Sequence, residues 1–141
     1  MAWHWSEISQ QRLVTCHPVL QQVLHTALDI SPFDLRVLEG HRNEDRQNEL
    51  FRAGHSQLTW PHSKHNAQPS LAVDVIPLPL DWSNRFAFHV LCGVMFSAAN
   101  LIKIHAKGWR LRSGQDWNGN WRNADQTFHD APHFELVKLQ D

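Results

Sequence analysis

Several features that would indicate a particular class of protein are missing from this sequence. Cys16 and Cys92 are its only cysteines, too few for the disulfide framework of a small secreted domain, so we expect reduced thiols in the core. No apolar run approaches the roughly 20 residues that a membrane-spanning helix needs, so we expect no membrane insertion. The first residues lack the basic region and apolar core of a signal peptide, and we therefore expect synthesis in a cytoplasm.

An excess of charge of one sign is also missing. The 13 Lys and Arg nearly balance the 14 Asp and Glu, giving a formal net charge of −1 at pH 7. A nucleic-acid partner or an anionic membrane surface calls for clustered basic residues, so we expect neither. With 141 residues and a hydrophobic content of 42%, the chain is long enough for one domain, residues 1–141, with its own core.

The pattern of apolar residues predicts a mixed fold. Helices are predicted over residues 6–29 (divided at Pro18), over 43–53, and from a cap at Ser83 to about Ala106. Strands are predicted over residues 33–39, 71–76, 109–112 and 133–139, with polar loops over 55–70 and 113–127. We therefore predict an α+β fold, in which helices pack on a small, largely antiparallel sheet of about four strands.

Three residues have side chains that bind metals well. Asp74 lies inside the apolar strand 71–76, where a buried carboxylate needs a partner or a metal ion. His65 lies in the polar loop before that strand, and His133 begins the last predicted strand. Two histidines and one carboxylate form a ligand set of catalytic zinc, with the fourth position left for water. Any one of eleven histidines is more often an ordinary polar residue, so the pattern alone leaves both interpretations open.

Six segments of the sequence resemble one family of enzymes. They are Gly40-x-Arg42 followed by Gln47, Ser63-x-His65, Ala72-x-Asp74, Gly114 to Gly119, Phe128 to Leu136, and within that run Asp130-x-x-His133. Together they resemble the zinc peptidases that include D-alanyl-D-alanine carboxypeptidases and phage L-alanyl-D-glutamate endopeptidases. The segments from Gly114 onwards resemble the phage endolysin branch in particular. The sequence departs from the family between His65 and Asp74, where the loop is longer than in many members and lacks their usual glycine.

The resemblance implies a site and a chemistry. It implies a zinc ion in a cleft of the sheet, held by His65, Asp74 and His133. It also implies that Asp130 is the general base and that Arg42 faces the oxyanion that develops during amide hydrolysis. Three further residues are candidates for substrate binding or for supporting the ligands: Gln47, Ser63 and Glu135.

Two acidic residues near His133 are candidates for the general base. Asp130 lies three residues before His133, as in the family, and we expect Pro132 to fix a turn between the two. Glu135 lies two residues after His133 on the same face of the predicted strand. We expect Glu135 to orient a neighbour or contact substrate, with the role of base as its alternative.

The expected function is that of a phage-type endolysin. It would act as a monomer on peptidoglycan stem peptides, cutting the bond between L-alanine and D-glutamate, and would reach the periplasmic wall after another protein permeabilises the membrane. One alternative is a D-Ala-D-Ala carboxypeptidase or dipeptidase, which needs a cation for the terminal carboxylate, and the ligand segments offer only Lys64 for that purpose. The other alternative is a zinc-stabilised binding domain without turnover.

Overall fold

The computed structural model describes residues 3–122 and 129–140, and these form four helices and a four-stranded sheet. The helices are α1 (Glu7–Leu13), α2 (Pro18–Ile30), α3 (Glu44–Arg52) and α4 (Arg85–Leu101). The strands are β1 (Leu35–Glu39), β2 (Ala72–Pro77), β3 (Trp109–Gly114) and β4 (Asp130–Lys138), and single 3₁₀ turns lie at Lys64–Asn66 and Ile104–Lys107. The α+β prediction is confirmed. Phe128 and the part of the predicted loop over 123–127 lie outside the described residues.

The sheet is antiparallel throughout, with the strand order β1-β2-β4-β3. The last strand in sequence, β4, therefore lies between β2 and β3. In this register Asp74 of β2 lies opposite His133 of β4, and Arg112 of β3 lies opposite Glu135 of β4. The pairing of these three strands therefore places the polar residues of the site next to one another.

The core lies between the sheet and the helices α2 and α4. Its fully buried members include Leu20 and Leu24 of α2, Leu91 and Met95 of α4, and Phe134 of β4. Because successive side chains of a strand point to opposite faces, the residues on either side of Phe134 point away from the core. The open face of β4 is thus available for a functional site.

Both cysteines are free thiols, as expected, and burial raises the pKa of Cys16 to about 12. Within residues 3–122 and 129–140, no helix has both the length and the apolar composition that crossing a bilayer requires.

The helix predicted over residues 83–106 is shorter than expected. Its N-cap is Asn84, whose side chain accepts a hydrogen bond from the backbone N–H of Ala87, whereas the Ser83 hydroxyl donates to Asp81. The helix ends at Leu101, because Lys103 adopts a left-handed conformation with φ of 54° and a 3₁₀ turn follows. The predicted cap and the predicted end of this helix were therefore wrong.

The turn predicted at Pro132 was also wrong, since Asp130–Lys138 is a single strand with an irregularity. Phe134 lies opposite Ser113 of β3, but the next pair of β3 is Gly114 with Asp130, so residues 131–133 have no partner on β3. The three residues bulge from the β3 pairing, and a bulge re-aims side chains at such a place. Strand pairing at Gly114, and not a proline turn, sets the position of Asp130.

Candidate metal centre and active site

Three buried side chains converge on one point at the open face of the sheet. Nε2 of His65 and Nδ1 of His133 each lie 3.3 Å from Oδ1 of Asp74. One potential ligand atom from each residue lies within 4.8 Å of the others, which is close enough for a single ion to contact all three. Asp74 and His133 are cross-strand neighbours, and His65 reaches them from the 3₁₀ turn at Lys64–Asn66.

The second nitrogen of each histidine ring is held by an acceptor. Nδ1 of His65 donates to the Gly40 carbonyl at 2.7 Å, and Nε2 of His133 donates to Oε1 of Glu135 at 2.7 Å. These bonds place the ring protons on the far side of each imidazole and fix the ring orientation, as is usual for histidines that ligate metals. The nitrogens that face Asp74 are therefore the ones suited to bind a cation.

Two atoms of the cluster are buried without a hydrogen-bond partner. They are Nε2 of His65 and Oδ1 of Asp74, and neither finds a donor or acceptor of suitable geometry among the described residues. Buried polar atoms of native proteins are nearly always satisfied, and an unsatisfied one costs about 1–3 kcal/mol. A bound cation would satisfy both atoms at once. Two nitrogens and one carboxylate oxygen fit zinc, so the residues present suit the ion that the family resemblance implies.

The charges of the cluster also favour a cation. Burial raises the pKa of Asp74, but the positive charges of His65 and His133 close to it outweigh burial and hold that pKa well below its usual range. Burial lowers the pKa of His133, but the carboxylates of Asp74 and Glu135 beside its ring outweigh burial and raise the pKa to about 9. Asp74 is thus an anion at neutral pH, and a metal ion would displace a proton from His133.

Arg42 holds Oδ2 of Asp74, the carboxylate oxygen other than the one that faces the two histidines. Its Nη2 donates to Oδ2 of Asp74 at 3.1 Å, its Nε donates to Glu39 at 2.7 Å, and its Nη1 donates to Gln47 at 3.2 Å. A guanidinium has five N–H groups, so these three bonds leave two. Arg42 lies at the wall of the cleft with a side chain that is 11% exposed.

Gln47 and Ser63 stabilise the backbone around these groups. Gln47 is fully buried, and its amide donates to the Ser56 hydroxyl and to the Leu58 carbonyl while accepting from Arg42. The Ser63 hydroxyl accepts from the backbone N–H of His65 and caps the 3₁₀ turn. Gln47 thus holds Arg42, and Ser63 holds the turn that presents His65.

Asp130 and Glu135 have different surroundings. The Asp130 carboxylate lies 3.9 Å from Nδ1 of His133, is 34% exposed and faces the cleft. Burial and the negative charge of Asp74 raise the pKa of Asp130. Glu135 is buried and bonded through both oxygens, Oε1 to His133 and Oε2 to Arg112. Burial raises the pKa of Glu135, but His133 and Arg112 outweigh it and lower that pKa.

The close approach of Asp130 to β3 depends on Gly114. A Cβ atom at position 114 would overlap the backbone of Asp130. Only glycine allows two strands to approach this closely, and the approach brings Asp130 to the edge of the cleft beside His133.

A cavity of about 390 Å³ opens in front of the cluster. Its polar and aromatic walls include Arg42, Lys64, Arg112, Trp117 and Asp130. Arg112 was not among the predicted site residues, since it lies outside the two segments that carry the ligands. The sequence did contain an indication of this residue. Arg112 lies in the predicted strand 109–112, and a residue of that strand could lie opposite the predicted last strand.

Comparisons with known proteins agree over nearly the whole chain. A family model described as phage L-alanyl-D-glutamate peptidase matches residues 1–137. The L-alanyl-D-glutamate peptidase of Escherichia phage T5 is 29% identical over 143 residues, which cover 97% of this chain and 100% of the phage protein. The crystal structure of the L-Ala D-Glu endopeptidase ChiX of Serratia marcescens matches with a TM-score of 0.70 and 28% identity, covering 94% of this chain and 89% of that one.

Proposed function

This chain belongs to the phage L-alanyl-D-glutamate peptidase family, and we propose that it hydrolyses the bond between L-alanine and D-glutamate in peptidoglycan stem peptides. The observation that carries this proposal is the convergence of two unpaired buried ligand atoms, on His65 and Asp74, beside a half-buried carboxylate, Asp130, at an open cleft. An open cleft suits an endopeptidase, whose substrate continues on both sides of the bond that is cut.

We propose that the ion held by His65, Asp74 and His133 is zinc. When bound, zinc would polarise the scissile carbonyl and lower the pKa of the attacking water. The residues present contribute the orientation of the ligands: Glu135 and the Gly40 carbonyl hold the two imidazole rings, and Arg42 holds the carboxylate.

Asp130 would act as the general base and then as the general acid. It would accept a proton from the attacking water as the new C–O bond forms, and pass that proton to the amine of D-glutamate as the C–N bond breaks. Its raised pKa suits both steps, because a base whose pKa lies nearer the working pH also returns its proton readily. Both oxygens of Glu135 are already bonded, which supports an orienting role for that residue instead.

Arg42 would stabilise the negative charge that develops on the carbonyl oxygen. Two of its N–H groups remain after its bonds to Glu39, Gln47 and Asp74. Those three bonds hold the guanidinium in place before substrate arrives, and a preorganised donor of this kind is typically worth about a hundredfold to a thousandfold in rate. Gln47 and Ser63 would act by holding Arg42 and His65, without contact with substrate.

We propose that the protein acts as a monomer. The proposed place of action is the bacterial cell wall, where stem peptides occur.

Digestion of purified peptidoglycan tests the proposed function. Soluble fragments should begin with D-glutamate, and L-alanine should remain on the muramic acid, as read by mass spectrometry of both fractions. The matched control is His133→Ala, which removes a proposed ligand and should release nothing above background. Free D-alanine or D-alanyl-D-alanine with the L-Ala–D-Glu bond intact would show that the enzyme is a carboxypeptidase or dipeptidase instead.

A further inference from the structure

Arg112 of β3 is a cation in the cleft that the mechanism above does not use. Its Nη2 and Nε both donate to Oε2 of Glu135, at 2.6 and 3.2 Å. The centre of its guanidinium lies 5.7 Å from the centroid of the Trp117 ring, so one face of the group rests on an aromatic surface. An edge contact and a face contact together fix the plane of the guanidinium.

The guanidinium of Arg112 retains donors after these contacts. The side chain is 29% exposed and lines the cavity, and no residue in the described ranges accepts a hydrogen bond from its Nη1. A planar guanidinium held in this way matches the geometry of a carboxylate.

The other two Arg and Lys residues of the cavity wall are less suited to that task. The three nitrogens of Arg42 are each engaged, and its side chain is only 11% exposed. The ammonium of Lys64 donates to the Leu136 carbonyl at 3.1 Å and sits on a flexible four-carbon chain. Arg112 is therefore the best-placed carboxylate receptor in the described part of the cleft.

Arg112 also lies close to the reacting bond. It is linked to the cluster of proposed ligands through Glu135, which accepts hydrogen bonds from Arg112 at 2.6 Å and from His133 at 2.7 Å. Trp117, on which Arg112 rests, lies beside His133 with ring centroids 5.2 Å apart. A substrate residue directly next to the scissile bond would thus be within reach of the guanidinium.

The substrate carries a carboxylate at that distance. D-glutamate has two carboxyl groups, and a linear peptide uses only one of them to join the next residue. The residue on the leaving side of the scissile bond therefore keeps a free carboxylate, unless it is amidated. We propose that Arg112 binds this free carboxylate and so makes the enzyme select glutamate over its amidated form; this inference rests on the proposed function.

Arg112 could instead act only through Glu135, by keeping His133 in place. The two roles differ in their effect on paired substrates: one peptide with the free D-glutamate carboxylate, and one with the same carboxylate converted to the amide. Loss of positioning lowers kcat/KM for both peptides by the same factor. Loss of carboxylate binding lowers it mainly for the acid.

The experiment measures kcat/KM of zinc-loaded wild type, Arg112→Gln, Glu135→Gln and Arg110→Gln on both peptides. Wild type should prefer the acid by about tenfold to a hundredfold, the range expected of a hydrogen bond between two charged groups. Arg112→Gln should bring this preference close to one. Glu135→Gln should slow both peptides, and it should reduce the preference less than Arg112→Gln does, because the guanidinium keeps its contact with Trp117. Arg110 is exposed two residues earlier on β3 and does not line the cavity, so Arg110→Gln should match wild type.

Three outcomes would overturn the inference. Arg112 does not bind the D-glutamate carboxylate if Arg112→Gln keeps the wild-type preference for the acid, or if wild type has no such preference. The proposed function stands in both cases. If wild type cleaves neither peptide nor purified peptidoglycan, the proposed function fails and this inference fails with it.

Discussion

Two of the proposed ligands, His65 and Asp74, differ from ordinary buried polar side chains because each has an atom without a hydrogen-bond partner among the described residues. Each imidazole has one nitrogen bound to a protein acceptor, and the nitrogen on the other side faces the Oδ1 atom of Asp74. An ordinary polar cluster in a core would pair its donors and acceptors with one another, whereas here His65 Nε2 and Asp74 Oδ1 stay unpaired. A bound cation would satisfy both of these atoms.

Substitution of a single histidine tests this interpretation. His65→Ala should lose the bound zinc, because two ligands hold zinc far more weakly than three, and metal analysis of the purified protein measures the loss. The matched control is His62→Ala, since His62 is exposed and lines the same cavity but is not part of the cluster. Equal zinc contents in the two variants would contradict the ligand assignment.

The two acidic residues near His133 should give different phenotypes. Asp130→Asn should keep its zinc and lose about a hundredfold or more in kcat, since a general base is needed for turnover and not for holding the ion. Glu135→Gln should weaken zinc binding, because Glu135 orients a ligand ring, and loss of such a partner typically costs about tenfold to a hundredfold in affinity. An active Asp130→Asn beside an inactive, zinc-replete Glu135→Gln would mean that the roles are reversed.

The sequence was most informative about residues that are out of place for their element. Asp74 could be predicted as a site residue from the sequence, because its carboxylate lies inside an apolar strand. The pair of Arg112 and Glu135 could not be found in this way, because it depends on the register between β3 and β4. Periodicity predicts that a strand exists and which residues share a face, but not which residue of the next strand lies opposite.

At the scale of elements, β3 and β4 act as one unit that carries Asp130. The irregularity between Ser113 and Gly114 leaves three residues of β4 without partners on β3, and it sets the distance between Asp130 and His133. The prediction of a turn at Pro132 did not include this irregularity, because a single sequence carries no strong pattern for a bulge. The position of the proposed base depends on the backbone of a neighbouring strand.

Gly114→Ala tests this dependence without altering any charged group. The added Cβ would push against the backbone of Asp130, so the base should shift while the ligands stay in place. We expect zinc to be retained and kcat to fall by about tenfold to a hundredfold, because a displacement of about 1 Å can have that effect. In the control Gly93→Ala, on an exposed position of α4 with open space around it, both properties should be unchanged. Full activity of Gly114→Ala would show that the close approach is not needed.

For the molecule as a whole, protonation of His133 would couple the proposed metal site to the stability of the fold. In the metal-free protein the pKa of His133 is raised to about 9, above its ordinary value of about 6.5. The stabilisation from its protonated form is complete below about pH 6.5 and is lost as the pH rises through about 9. Zinc in the proposed site would act in the opposite direction, because it would bind the deprotonated ring and would bind more tightly as the pH rises.

The gap in Tm between zinc-loaded and metal-free protein should therefore widen from pH 6.5 to pH 9. Asp74 should not disturb this window, since its lowered pKa makes its contribution constant well above pH 4. Thermal unfolding at fixed zinc and protein concentrations measures the gap. A gap that stays constant, or that narrows with increasing pH, would contradict the raised pKa of His133.

The overall fold was predictable because the elements alternate clearly between apolar and polar residues. Four strands and the helices around them follow from local patterns, and the structure confirms this α+β class. The strand order does not follow from local patterns, because several orders would bury the same apolar faces. The central position of β4 emerged only from the structure.

That strand order has a consequence for how the protein is made. On the ribosome, β2 and β3 emerge before β4, and until β4 inserts between them each presents an unpaired edge. The same strand brings His133, Asp130 and Glu135, so the partly synthesised chain has neither a closed sheet nor a complete site. In a peptidase built in this order, the strand that completes the sheet also completes the site, so a chain that ends before β4 would lack both.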